Sequence, residues 1–237
     1  MSAAQLRRHL ADIAADRYRP SGRFAYYFAR GKLRRDPVFA ALLALGVIPD
    51  GAHLLDLGCG QGLLAAWLDA ARASHGAGQW PRTWPAPPRL GAFRGIELMP
   101  RDVERARRAL GGLARIECAD IRSADFGASD VVVVLDVLHY MEPAAQEQVL
   151  KRVRASIGAT GVLMVRVGNA AGGWRFRVSR WVDAAVLYVR GHRQGRLHCR
   201  TLPAWSAMLT SCGFSARAIP MSAGTPFANV LLVATPQ

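Results

Sequence analysis

Lysine is almost absent from this chain: Lys32 and Lys151 are the only two, although Lys and Arg together number 31 against 17 Asp and Glu, for a formal net charge of +14. A positive charge carried by arginine, in a chain rich in Ala and Gly, fits the residue usage of a GC-rich genome. It also fits a polyanion site, so charge alone does not separate a solvated surface from a nucleic-acid or anionic-membrane partner. Cysteine is scarce as well. Cys59, Cys118, Cys199 and Cys212 show neither C-x-x-C metal spacing nor the pattern of a disulfide scaffold, which argues against a disulfide-stapled secreted fold and for a reducing cytoplasm. Long apolar runs are missing too. No run, Val131 to Leu135 included, approaches the roughly 18 residues of a membrane span, and no signal-like apolar region opens the chain. With 51% hydrophobic residues in 237, the chain has ample material for one α/β domain with embellishments.

The most informative stretch is Leu54-Leu55-Asp56-Leu57-Gly58-Cys59-Gly60-Gln61-Gly62, followed by Leu63-Leu64-Ala65-Ala66-Trp67-Leu68. An apolar run that breaks at three alternating glycines and resumes with helical spacing is a buried strand, a tight turn and a helix. The glycines admit backbone conformations closed to other residues and allow a ligand to approach the main chain. Leu64, Trp67, Leu68 and Ala71 fall on one helix face, and the first N–H groups of that helix point toward whatever lies above the turn. Glu97, closing the segment Phe93 to Glu97, is placed at the next strand end to accept from ribose hydroxyls. The dinucleotide fingerprint G-x-G-x-x-G is excluded, because its third glycine would fall at Leu63.

Taken in order, the chain opens with an amphipathic segment (Leu6, Leu10, Ile13), an aromatic and basic segment from Phe24 to Lys32, and a helix with Asp36 as N-cap, Pro37 in its first turn and Gly46 as its stop. These form an N-terminal helical cap over residues 1–46, in which Tyr26 and Tyr27 are candidates to line a cleft or ordinary packing residues. Residues 74–90 hold Pro81, Pro85, Pro87 and Pro88 with Trp80 and Trp84, and read as a mobile insertion without regular structure. Strands are expected at 115–119, 130–135 and 162–167, with intervening helices whose apolar faces carry Val103, Ala106 and Leu110, then Val149, Leu150 and Val153. Gly168 to Gly173 is a link into a basic, tryptophan-containing helix from Trp174 to about Val189, read as a substrate lid, a membrane-surface helix or a helix packed on the sheet. A helix at 203–212 and strands at 214–220 and 228–234 complete the chain. Strands alternating with helices specify right-handed crossovers and a parallel, doubly wound sheet, with ligands at the strand carboxyl ends, where Asp56, Glu97, Asp120 and Asp136 to Tyr140 all fall.

The run Asp56 to Gly62 resembles motif I (D-x-G-x-G-x-G) of the class I S-adenosylmethionine-dependent methyltransferases, with Glu97 as the acid of the second motif and Asp120 as that of the third. The resemblance spans about residues 50–235. It implies a Rossmann-like seven-stranded sheet in the order 3-2-1-4-5-7-6 with the last strand antiparallel, forming one methyltransferase domain over residues 47–237. It further implies S-adenosylmethionine as cofactor. Asp56, Gly58, Cys59, Gly60 and Gly62 would lie at the methionine and ribose portion, Glu97 and Leu98 at the ribose, Asp120 and Ile121 at adenine, and Asp136 at the cofactor edge of strand four.

Methyl transfer from a sulfonium is an in-line displacement in which alignment and water exclusion supply much of the catalysis, and no metal is required. The segment Asp136-Val137-Leu138-His139 lacks the [DNS]-P-P-[YFW] sequence of exocyclic-amine base methylases, and no Pro-Cys nucleophile is present, so the two best-marked base-methylating chemistries are disfavoured. A small phenolic, aryl-acyl or polyketide-like hydroxyl acceptor fits better. His139 is then the candidate general base, since imidazole takes a proton near neutral pH, and Tyr140, Asn169, Trp174, Tyr26 and Tyr27 are candidate pocket residues. Gly31-Lys32-Leu33, Asp36-Pro37-Val38-Phe39 and Gly224-Thr225-Pro226-Phe227-Ala228-Asn229 also resemble methyltransferases of bacterial aryl-polyene pigment pathways. An RNA methyltransferase and a noncatalytic cofactor-binding subunit remain as alternatives.

Overall fold

The computed structural model describes residues 2–173, 197–222 and 224–237. The helix expected from Trp174 to Val189 lies outside them. The chain divides into two compact units, Met1–Ala124 and Asp125–Gln237.

The first unit opens with three helices. α1 (Ala3–Asp16) starts at a capping box in which Ser2 Oγ accepts from Gln5 N and Gln5 Oε1 accepts from Ser2 N, satisfying two N-terminal donors. Its Leu6, Leu10 and Ala14 are buried. α2 (Arg23–Arg35) buries only Ala25, Ala29 and Leu33. Phe24, Tyr27 and Phe28 therefore turn outward, and Tyr27 is not an ordinary packing residue. α3 (Pro37–Leu45) is capped by Asp36, whose side chain accepts from Val38 N, and ends at Gly46 in the left-handed conformation. It buries Val38, Phe39, Leu42 and Leu43.

The sheet half of this unit is β1 (His53–Leu57), α4 (Leu63–Gly76), β2 (Ala92–Glu97), α5 (Pro100–Leu110) and β3 (Arg115–Cys118), with β1, β2 and β3 paired in parallel. α4 is buried nearly all round because α1 packs against it from outside the sheet. Trp67 anchors that layer: it is fully buried, and its indole N–H donates to Phe39 O at 2.8 Å. The proline-rich stretch has no regular structure after Gly76, but it is fastened rather than mobile. Trp80 packs edge-on against Trp84 and His75 and donates to Pro85 O, while Arg89 N and Arg89 O bond Asp50 and Gly51.

The second unit holds β4 (Ser129–Leu135), α6 (Pro143–Ser156), β5 (Ile157–Gly168), α7 (Leu202–Ser211), β6 (Phe214–Pro220) and β7 (Asn229–Pro236). β5 starts five residues earlier than the sequence suggests. Gly158 lies within this strand, whose pairing with β4 shifts register between Ser129 and Val131. β4 and β5 are parallel, and β7 runs antiparallel to both β5 and β6. The complete sheet has the order β3-β2-β1-β4-β5-β7-β6, as the resemblance implies.

One close approach fixes how β2 meets the glycine turn. A Cβ on Gly95 would sit 2.6 Å from Cys59 Sγ and 2.8 Å from Ile116 Cδ1. Gly95→Ala is expected to destabilise the protein by about 1–3 kcal/mol through overpacking, measured by urea unfolding, and Cys59→Ala in the same chain should restore part of the loss. A fully stable Gly95→Ala variant would show that the thiol moves aside freely.

Candidate functional site

In the first unit the carboxyl ends of β1 and β2 bring Asp56 and Glu97 close beneath the glycine turn. The turn is built by left-handed backbone at Gly58 (φ 72°), Gly60 (φ 56°) and Gly62 (φ 71°), and it is tied to β2 by bonds from Gly58 N and Cys59 N to Ile96 O. The glycines serve different ends. At Gly62 a Cβ would lie 2.5 Å from Leu110 Cδ1, so this glycine lets α4 and α5 pack; at Gly60 no atom lies within 4 Å of the same position, so the space above the turn is open to a ligand.

Glu97 organises this end. Its Oε2 accepts from Gly60 N and its Oε1 from Met99 N, each at 2.9 Å, and the residue is buried. Two carboxylate oxygens offer about four acceptor positions, so capacity remains for the hydroxyls of a ribose. Asp56 is 4% exposed, and its carboxyl is pushed up to about 7, first by burial and then by the charge of Glu97. Burial, reinforced by the charges of Asp56 and Glu97, also raises the Cys59 thiol. A pair of desolvated acids of this kind favours a cationic ligand group. Leu98, next to Glu97, is 49% exposed and offers an apolar surface at the strand end. Asp120, in the turn after β3, accepts from Arg122 N and from the Arg122 guanidinium, which holds its carboxyl below the usual carboxylate range. It is thus a turn-forming acid as well as a candidate adenine contact. Ile121 beside it is buried.

Two residues that the sequence reading passed over hold the turn from the other side. Tyr18, buried just after α1, donates from its hydroxyl to Gln61 O at 2.8 Å, and Gln61 Nε2 donates to Asp102 Oδ1 at 3.2 Å. Gln61 Oε1 is buried and lacks a hydrogen-bond partner among the described residues, a second feature that fits a ligand donor above the turn. Tyr26 and Tyr27 lie on α2. The Arg19 guanidinium sits 4.4 Å from the centre of the Tyr26 ring, and Tyr27 is 58% exposed.

In the second unit β4 delivers Asp136, followed by a short 3-10 turn, Leu138–Tyr140. Asp136 is the one non-glycine residue with positive φ (60°) among those described, and its carboxylate is gripped by the Arg166 guanidinium, which bonds both oxygens. Arg166 is 2% exposed on β5. A charged residue inside Val162 to Val167 was the signal for this pair: an arginine at a buried strand position demands a carboxylate. His139 is 6% exposed, and its ring centre lies 4.1 Å from that of Tyr140. Gln146, fully buried on α6, donates to Leu138 O, Met141 O and His198 O and accepts from Arg200, fastening the His139 turn. Asn169 serves the local backbone, its Oδ1 accepting from Ala171 N and Leu202 N. Trp174 lies outside the described residues. No group of three or more His, Cys, Asp or Glu suited to a metal ion occurs among them.

Residues 55–163 match the family described as "Methyltransferase domain". Among solved structures, an O-methyltransferase family protein from Burkholderia thailandensis is similar with a TM-score of 0.63 at 18% identity, over 92% of this chain and 62% of that one. Human N-acetylserotonin methyltransferase in complex with SAM gives 0.58 at 16% identity, over 95% and 59%. Magnesium protoporphyrin IX methyltransferase from Synechocystis PCC 6803 with bound SAH gives 0.59 at 18% identity, over all of both chains. The chain thus spans about three fifths of the first two and the whole of the third, and at these identities the likeness is one of fold. No curated protein matches the sequence.

The raised Asp56 carboxyl has a direct thermodynamic readout. A folded-state value near 7 against 3.8 for the ordinary side chain means that the proton is held more tightly in the folded chain, so this contribution to stability is fully present below about 3.8 and is lost as pH rises toward 7. Asp56→Asn removes the titration. Between pH 5 and pH 8 the ligand-free variant should gain on the wild type by an amount on the order of a few kcal/mol, read as diverging melting temperatures. Parallel curves would mean that Asp56 is ionised and solvated.

Proposed function

We propose, from the match of residues 55–163 to a methyltransferase domain and from the sheet order of the class I, S-adenosylmethionine-dependent fold, that this chain methylates a small molecule, by O-methylation of a phenolic or aryl-acyl, polyketide-like hydroxyl. The observation that carries the cofactor half is the open space at Gly60 above a turn whose amide is held by buried Glu97. When bound, S-adenosylmethionine supplies an electrophilic methyl group on a sulfonium. Glu97 accepts from the ribose hydroxyls with Leu98 beside it, Asp56 faces the cationic amino acid end, and Asp120 and Ile121 receive the adenine. Tyr18 and Gln61 hold the turn in shape.

For the acceptor half, support comes from the buried His139 ring and the half-buried Tyr140 ring after β4, in a turn that Gln146 and the Asp136–Arg166 pair keep in place. His139 orients the acceptor hydroxyl and takes its proton, and Tyr140 provides an aromatic wall. The similar structures named as an O-methyltransferase family protein and as N-acetylserotonin methyltransferase agree with a small acceptor.

The cofactor assignment is tested by calorimetry. Gly60→Val should abolish S-adenosylmethionine binding by filling the open space, and Glu97→Ala should weaken it by roughly 1.5–3 kcal/mol, the range for charge-assisted bonds. Unchanged affinity in both would overturn it. The acceptor assignment is tested by incubating the protein with labelled S-adenosylmethionine and phenolic or aryl-acyl compounds. His139→Ala should lower kcat about 10²-fold or more at unchanged cofactor affinity, with partial recovery at high pH where the acceptor ionises unaided. Near-normal turnover would leave alignment as the mechanism.

A further inference from the structure

The outward face of α2 is unlike the rest of the first unit. Phe24, Tyr27 and Phe28 are 63%, 58% and 40% exposed, and with Gly31 they follow the three- and four-residue spacing of one helical stripe. Large apolar side chains grouped in this way on a surface mark an interaction site. The segment Arg23–Arg35 contains Arg23, Arg30, Lys32, Arg34 and Arg35 and no acid. Arg30 and Arg34 are paired with Asp12 and Lys32 with Asp36, whereas Arg23 and Arg35 are exposed and have no ion pair among the described residues. Beside the stripe lies a groove of about 250 Å³ lined by Ser21, Arg101, Glu104, Arg105 and Arg108, in which Arg105 is paired with Asp102 and Arg108 with Glu104.

We propose that this face of α2 docks the protein onto anionic lipid bilayers, the aromatic stripe entering the headgroup boundary while Arg23, Arg35 and Arg101 of the adjoining groove meet lipid phosphates. The charge is complementary, and an aromatic face rimmed by arginines is the composition of a helix that lies in a membrane interface. A single-stranded nucleic acid would need free ring faces for its bases to stack on. Here part of that ring surface is taken: Phe24 and Phe28 stack on each other at 5.9 Å with 9° between planes, and the Arg105 guanidinium lies 4.7 Å from the Phe24 centre. The proposal is independent of the identity of the methyl acceptor.

The test is cosedimentation of the full chain with phosphatidylcholine vesicles, either neutral or containing about 30% phosphatidylglycerol. Expected is retention by the anionic vesicles, with affinity lowered at least about tenfold in a Phe24→Ser, Tyr27→Ser, Phe28→Ser triple variant and a flatter salt dependence in Arg23→Gln, Arg35→Gln. Because these side chains are exposed, both variants should melt as the wild type does, which separates lost docking from lost folding. The proposal is overturned if the wild type stays in the supernatant at low salt, or if the triple variant pellets as well as the wild type. It is also overturned if the aromatic residues are needed for binding a single-stranded RNA or for self-association while vesicles are ignored.

Discussion

The first unit's site depends on a carboxylate held away from water by two backbone amides. Glu97 reaches from the end of β2 to Gly60 N and Met99 N, and in doing so joins β2, the glycine turn and the start of α5 through one side chain. The cost of burying its charge is offset by these bonds. Asp56 receives no such compensation on the scale its burial demands, and its affinity for a proton rises accordingly. The two acids therefore play unequal parts: one is committed to the backbone, while the other is poised to change state when a cation arrives.

The second unit solves a similar problem by direct pairing. Asp136 adopts a backbone conformation that costs a residue with a Cβ roughly 1–3 kcal/mol, and Arg166 holds it there. Gln146 adds a neutral set of bonds to the same turn, accepting from Arg200 and donating to three carbonyls, so that His139 is carried on backbone whose polar groups are satisfied from the helix side. A site that works by alignment gains from this kind of rigidity.

Much of this was legible in the chain because it follows from periodicity and from glycine. The β-branched run at Val131–Val134, the Asp36 and Gly46 caps and the alternating glycines have local causes, and the structure realises each. The interleaving of β7 between β5 and β6 rested on family resemblance, since no local pattern distinguishes an antiparallel insertion from another parallel strand. What escaped was set by contacts distant in sequence. Tyr18 lies 43 residues from Gln61, and Gly95 is small because of a thiol on another segment. In α2 the helix was readable but its orientation was not: the small residues Ala25 and Ala29 pack against α1 while the large rings face out, the reverse of what hydrophobicity alone selects.

Cys59 acquires a further meaning from where it sits. A sulfonium methyl group is an alkylating agent, and a thiolate beside it would be a competing nucleophile inside the protein itself. Burial of Cys59 against Gly95, with the charges of Asp56 and Glu97 beside it, raises the thiol and so favours its protonated form. On the proposed reading of the turn as a sulfonium site, the same acids that favour a cationic ligand would also shield the turn from self-methylation.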